Sequence, residues 1–206
     1  MKKLLIFTGP QGSGNHLWSK IFALHPAVAG WSALLDTYWI PHDQEPFAAY
    51  WRNPTRLKDF DWSQRDYYVT SISCPYIDDT RWAVPNILEF ARQAEECGLE
   101  VQIAIIGRDQ TILGFQETRI RGQSTFETAQ EQYEKLADWD PVYLSYELLH
   151  LYQGSYLKQV SKLLEFPIAY TDSRLEEILK DDTNAKYIHP IDHHWTDKLM
   201  KTVKIT

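Results

Sequence analysis

The chain has 206 residues, 44% of them hydrophobic, which suits one packed domain spanning 1–206 and argues against disorder. A formal charge of −7 argues against nucleic acid as a partner, which needs a basic face, but not against a small anion held by local donors. Cys74 and Cys97 supply neither a disulfide framework nor a C-x-x-C pair, and the apolar run after Lys2 and Lys3 covers only residues 4–7, too short for a signal segment or a bilayer span. The expectation is a soluble cytoplasmic protein with no membrane partner; oligomeric state is not readable.

In chain order, residues 4–8 read as a short buried strand closed by Gly9-Pro10. Residues 13–24 have helical spacing, with Leu17, Ile21 and Leu24 on one face, Trp18 and Phe22 beside them, and His25-Pro26 ending the run. Residues 31–66, rich in Trp, Asp and Pro, read as irregular with one short helix around Leu34. YYVTSIS (67–73) predicts a strand, residues 85–97 a helix stopped by Gly98, and VQIAIIG (101–107) another strand. Ser124-x-x-Glu127 has the form of a capping box starting a helix to about residue 136. PVYLSY (141–146) predicts a further strand, residues 155–164 a helix closed by Pro167, and Ser173-x-x-Glu176 a second capping box. Strands alternating with helices imply parallel pairing with helical crossovers, hence an α/β three-layer sandwich with a mainly parallel sheet. Ligands in such folds sit at the carboxyl ends of strands, so the stretches after Phe7, Ile106 and Tyr146 carry the functional reading.

The first stretch is TGPQGSGNH. Gly9, Gly12 and Gly14 let the backbone turn tightly and approach an anion, Ser13 adds a hydroxyl, and the start of the next helix adds amides and the positive end of its dipole. A phosphate loop of the G-x-x-x-x-G-K-[ST] type has a lysine for the β/γ-phosphates and a hydroxyl for Mg²⁺; Asn15 and His16 stand at those places here, and the strand at 101–107 ends in Gly-Arg rather than in a metal-supporting Asp. A metal-dependent kinase or NTPase is therefore disfavoured. After the second strand comes Arg108, a charge that needs a partner or a ligand, and a guanidinium clamps phosphate at two points. Gln116 lies eight residues on, with Arg119 and Arg121 beyond it. After the third strand, Tyr146 offers a ring and a hydroxyl to a base.

Taken together, these segments resemble the sulfotransferases that use 3′-phosphoadenosine 5′-phosphosulfate. PQGSGNHL looks like that family's P-K-S-G-T-[TS]-x-L loop around the 5′-phosphosulfate, with Gly12 in place of the lysine and Asn15-His16 in place of the Thr pair. IIGRDQTILGFQ is similar to its strand-R-[ND]-P segment for the 3′-phosphate, with Gln116 at the serine position. LSYELL and KLLEFP match its Y-E-D-L and F-L-G-[LF]-P segments. The resemblance implies a P-loop NTPase-like fold, 3′-phosphoadenosine 5′-phosphosulfate as donor with 3′,5′-ADP as product, and no metal. It implies a donor site made of Gln11, Gly12, Ser13, Gly14, Asn15, His16, Arg108, Gln116 and Tyr146, with Tyr146 near the adenine. The chain lacks a recognisable C-terminal R-K-G loop and is short for the family.

Sulfuryl transfer passes a planar SO₃-like group in line, so charge on the departing oxygen needs a donor, for which His16, Arg119 and Arg121 are candidates. The acceptor, a hydroxyl or amine of a small molecule or carbohydrate, must lose a proton. His42 is the first candidate base, with Asp36 and Glu45 next, because all three sit among Trp31, Tyr38, Trp39 and Trp51 as a pocket would require. HPIDHH (189–194) does not have the spacing of a helical zinc motif, and Asp78-Asp79 reads as a pocket border or a helix cap. The rivals are a nucleotide or nucleoside kinase, and a catalytically silent anion- or partner-binding member of the same fold.

Overall fold

The computed structural model describes residues 1–37, 40–78, 81–122 and 124–188, without the side chains of residues 119–121. HPIDHH, Tyr38, Trp39, Asp79 and the side chains of Arg119 and Arg121 therefore lie outside the described residues.

β1 (Lys2–Gly9) leads through the glycine loop into α1 (Asn15–Ala23) and the two-residue β2 (Val28–Ala29). An irregular stretch follows, with 3-10 turns at Ser32–Asp36, His42–Gln44 and Pro54–Asp59 around the short α2 (Ala48–Arg52). β3 (Tyr67–Ser73) runs into a small antiparallel hairpin, β4 (Tyr76–Asp78) and β5 (Arg81–Ala83), which the sequence reading did not foresee. Next come α3 (Ile87–Glu96), β6 (Leu99–Gly107), α4 (Gln110–Arg121), α5 (Phe126–Lys135), a 3-10 turn at Ala137–Trp139, β7 (Val142–Ser145), α6 (Tyr146–Leu164) and α7 (Ser173–Lys180).

The main sheet has the order β2-β3-β1-β6-β7, and its pairings are parallel. Alternation along each strand divides the core in two. Leu5, Phe7, Val69, Ala104, Ile106 and Leu144 face one side, where they meet Trp18, Ile21 and Phe22 of α1, Leu157 and Val160 of α6, and Leu175 and Leu179 of α7. Leu4, Ile6, Tyr68, Ile72, Ile103 and Ile105 face the other, against Phe47, Trp51, Leu57 and the α3 residues Ile87, Phe90 and Ala91. Helices thus cover both faces, as strands buried on both sides require. Burial of Phe7, Trp18 and Phe22 alone contributes about 2–3 kcal/mol each.

From β1 the chain crosses first to β2 and β3 on one side, later to β6 and β7 on the other, so the sheet order reverses at β1. Parallel register sets Thr8 beside both Ile72 and Ile105, so the ends of β3, β1 and β6 lie level. Ligands bind at such reversals.

Three local expectations are corrected. Neither capping box forms. Thr125 precedes α5, and its amide and hydroxyl go to the Glu117 carboxylate; Asp172 caps α7 by accepting from Arg174 N at 3.0 Å. The helix expected from about 155 follows the break at Gln153, but α6 also has an unforeseen first segment from Tyr146, capped by Ser145 Oγ, which accepts from Leu148 N at 3.1 Å. Its first turns expose Leu148, Leu151 and Tyr152, which blurs the apolar period, and Gln153 (φ 43°, ψ −121°) breaks the helix. Asp78 caps no helix; it lies in β4 and pairs with Arg52. No described helix is long and apolar enough to cross a membrane.

Candidate functional site

At the end of β1 the backbone turns hard. A Cβ on Gly9 would lie 2.9 Å from Ile106 O and 2.1 Å from Ser13 Oγ, so only glycine fits between this strand end and its neighbours. Gly14 sits at φ +113° and precedes α1; a Cβ there would meet the Tyr146 ring at 2.9 Å. α3, α4, α6 and α7 each begin with a side chain accepting from an early amide: Asn86, Asp109, Ser145 and Asp172 respectively. α1 has no such cap and no acid in its first turn. Its first ladder bond runs from Trp18 N to Gly14 O at 3.1 Å, so the amides of Asn15, His16 and Leu17 make up the first turn ahead of it. They sit at the positive end of the helix dipole, an anion-binding arrangement.

This helix start opens on a cavity of about 440 Å³ lined by Gln11, Gly12, Gly14, Asn15, His16, Leu17 and Lys20 on the loop side, Ser73 from β3, Arg108 and Gln116 from β6 and α4, Tyr146 from α6, and Glu177, Ile178, Asp181, Thr183, Lys186 and Tyr187 from α7 onward. Eight of the nine residues expected to bind the donor therefore share one cavity. The ninth, Ser13, does not line it: its side chain is fully buried against Gly9. Gln11 donates to Pro75 O at 3.0 Å and Asn15 Nδ2 to Ser73 Oγ at 2.9 Å, which fasten the loop to the end of β3.

Arg108 is 8% exposed and heavily engaged. Its Nε donates to Asn184 Oδ1 at 2.7 Å, Nη1 to Gly12 O at 2.6 Å and to Gln116 Oε1 at 3.2 Å, and Nη2 to Thr183 Oγ1 at 3.1 Å. The guanidinium also lies 4.4 Å over the Tyr146 ring. An open two-point clamp was expected here; instead the protein's own oxygens meet most of the fork. Tyr146 is 2% exposed, its hydroxyl 2.7 Å from Thr183 Oγ1 and accepting from Thr183 N at 2.9 Å. Arg108 lies over one face of the Tyr146 ring and Gly14 against its edge, while the residue still lines the cavity.

The candidate bases separate. His16 lines the cavity; burial, with lesser contributions from His42 and Lys20, pushes it down to about 4, so its imidazole is neutral at pH 7. It can give a hydrogen bond but not a positive charge. His42 does not line the cavity. It lies behind Trp31, whose ring is 5.0 Å from that of His16 and 5.8 Å from that of His42, and burial lowers its pKa as well. Glu45 is buried on the far face of the sheet, accepting from Phe47 N at 2.7 Å and Thr70 Oγ1 at 2.8 Å, and desolvation raises it to about 8. Asp36 is exposed near Arg174, away from the cavity. Of the aromatic residues that suggested a pocket around these three, the two described ones form core instead: Trp51 stacks on Phe90 at 3.7 Å, and Trp31 packs with Leu34 and Ile40.

Sequence reasoning missed the α7 wall and Lys20. Lys20 lies one turn beyond His16 on α1, and that i,i+4 relation was the available signal. Its ammonium donates to Thr37 O at 2.7 Å and interacts with Asp181. The α7 wall carried no local signal, because only the tertiary fold brings it to the loop. Among the described residues no cluster of three or more His, Cys, Asp or Glu is arranged to hold a metal. Compared with protein-family models and with curated proteins, the chain gives no match.

Proposed function

We propose that the chain is a P-loop-like sulfotransferase that takes the sulfuryl group from 3′-phosphoadenosine 5′-phosphosulfate. The observation that carries this reading is the meeting, on one cavity, of an uncapped helix start after a glycine loop with a buried arginine from the adjacent strand end. A bisubstituted nucleotide has two separate anionic ends and needs two such places. The amides of Asn15, His16 and Leu17 would take the 5′-phosphosulfate, and Arg108 with Gln116 the 3′-phosphate.

In the transfer, the acceptor oxygen or nitrogen bonds to sulfur as the bond from sulfur to the phosphate oxygen breaks, 3′,5′-ADP departs, and the acceptor's proton passes to a base. His16, neutral at pH 7, supplies an N–H toward the departing oxygen, and Lys20 adds charge from the same helix face. Of the expected bases, His42, Asp36 and Glu45 do not line the cavity, which favours a carboxylate of the α7 wall, Glu177 or Asp181, for the proton. A nucleotide kinase is the weaker reading, since the place of a loop lysine is held by Asn15, tied to Ser73.

Calorimetry with 3′,5′-ADP against 5′-ADP tests the reading. A preference of at least tenfold for the 3′-phosphorylated nucleotide is expected. Equal affinities, or turnover of ATP with Mg²⁺, would overturn it.

A further inference from the structure

The contacts of Arg108 point beyond the donor site to how it is regulated. Four of its five N–H groups are satisfied by oxygens of the protein among the described residues, and two of those oxygens, Asn184 Oδ1 and Thr183 Oγ1, belong to the turn after α7. That turn is fastened through the same two residues: Thr183 holds the Tyr146 hydroxyl through both its amide and its side chain, and Asn184 Nδ2 reaches Glu147 Oε1 at 3.3 Å. Glu147 in turn accepts from Asp109 N at 2.8 Å, beside Arg108. Tyr187 completes the cover, with its ring 5.9 Å from the guanidinium. A phosphate approaching Arg108 finds the places of its own oxygens already filled.

We propose that the turn at 182–184 is an internal latch that competes with a phosphate for Arg108 and is exchanged for it when ligand binds. This rests on the reading of Arg108 as a phosphate ligand. The exchange swaps two neutral oxygens for anionic ones, and charge-assisted bonds are the stronger kind. Arg108 stays bonded to Gly12 O and Gln116, so it remains in register with the glycine loop while the turn leaves. The apparent affinity is then reduced by the fraction of molecules in which the latch is closed.

The test compares the wild type with Asn184→Ala and Thr183→Val by calorimetry and amide hydrogen exchange. Each variant is expected to bind 3′,5′-ADP about five- to tenfold more tightly, by removing one competing bond, with 5′-ADP affinity unchanged. In the wild type, exchange at residues 182–187 is expected to speed up when 3′,5′-ADP binds. Unchanged or weaker binding in both variants, or slowed exchange at those residues, would overturn the latch; a poorly folded variant cannot mimic tighter binding. If the wild type shows no preference for 3′,5′-ADP, the sulfotransferase reading fails by itself, and inorganic phosphate becomes the probe. Tighter phosphate binding by Asn184→Ala then still supports the latch, and unchanged phosphate binding overturns it.

Discussion

At the end of β1, the chain gives up side chains. Gly9, Gly12 and Gly14 are required by close contacts or by φ, and the following helix has no side-chain cap. At the end of β6, one strand away, Arg108 is a large charged side chain whose donors are nearly all spent inside the protein, and Asp109 caps the helix that follows. Both termini face one cavity. Under the proposed reading, the first would take an anion without rearrangement, the second only after it releases contacts. On that reading, an anion-binding place can be built from the backbone of a helix start or from a paired cation, and only the second carries a conformational cost.

The largest expected effect follows from that contrast. Arg108→Ala should lose about 3–4 kcal/mol of stability, since it strands Asn184, Thr183 and Gly12 O. Urea unfolding measures this, and a variant as stable as wild type would show that the β6 end is not a paired terminus at all.

Smaller at each pH step, though comparable when summed over its window, is the effect of Glu45→Gln, at a carboxyl that does not line the cavity. The Glu45 carboxyl titrates near 8 when folded against 4.5 when free. The folded state therefore holds the proton more tightly, and the stabilisation is full below about pH 4.5 and lost as pH rises toward 8. The wild type should lose up to about 1.4 kcal/mol per pH unit within that window relative to Glu45→Gln. Urea midpoints at pH 5, 6, 7 and 8 should diverge accordingly, with turnover at pH 6 unaffected.

Gly14→Ala attacks the β1 end. At φ +113°, with a Cβ 2.9 Å from Tyr146, it should cost about 2 kcal/mol and weaken binding of both 3′,5′-ADP and 5′-ADP, unlike a change at Arg108. The smallest effect expected is in His16→Ala: turnover lower by about tenfold with 3′,5′-ADP affinity within twofold of wild type, measured by initial rates and calorimetry. A parallel loss of both would make His16 a binding residue only.

The long strands were legible because each is a run buried on both faces, and apolar composition alone marks such runs. β2 has two residues and no pattern to read, and β4 and β5 expose Ile77 and Trp82 as few short strands do. The loop, Arg108, Gln116 and Tyr146 were found from their places after strands. What could not be read was pairing. Nothing local in Arg108 announces Asn184 as its partner, and nothing in a tryptophan-rich stretch says whether the rings line a pocket or fill a core; here Trp51 lies on Phe90. For the same reason the sequence did not show that His42, Asp36 and Glu45 stand outside the lining of this cavity. Their chemistry suits a base, but burial and backbone course, not composition, decide which face of the sheet they reach.

The cavity has one more consequence. Its two walls come from residues 11–20 and residues 177–187, nearly the whole described chain apart. A ligand touching both would act as a non-covalent staple across a very large loop. Occupancy should then raise the melting temperature of the entire sheet rather than of the loop alone, by an amount that grows with the logarithm of ligand concentration above its dissociation constant.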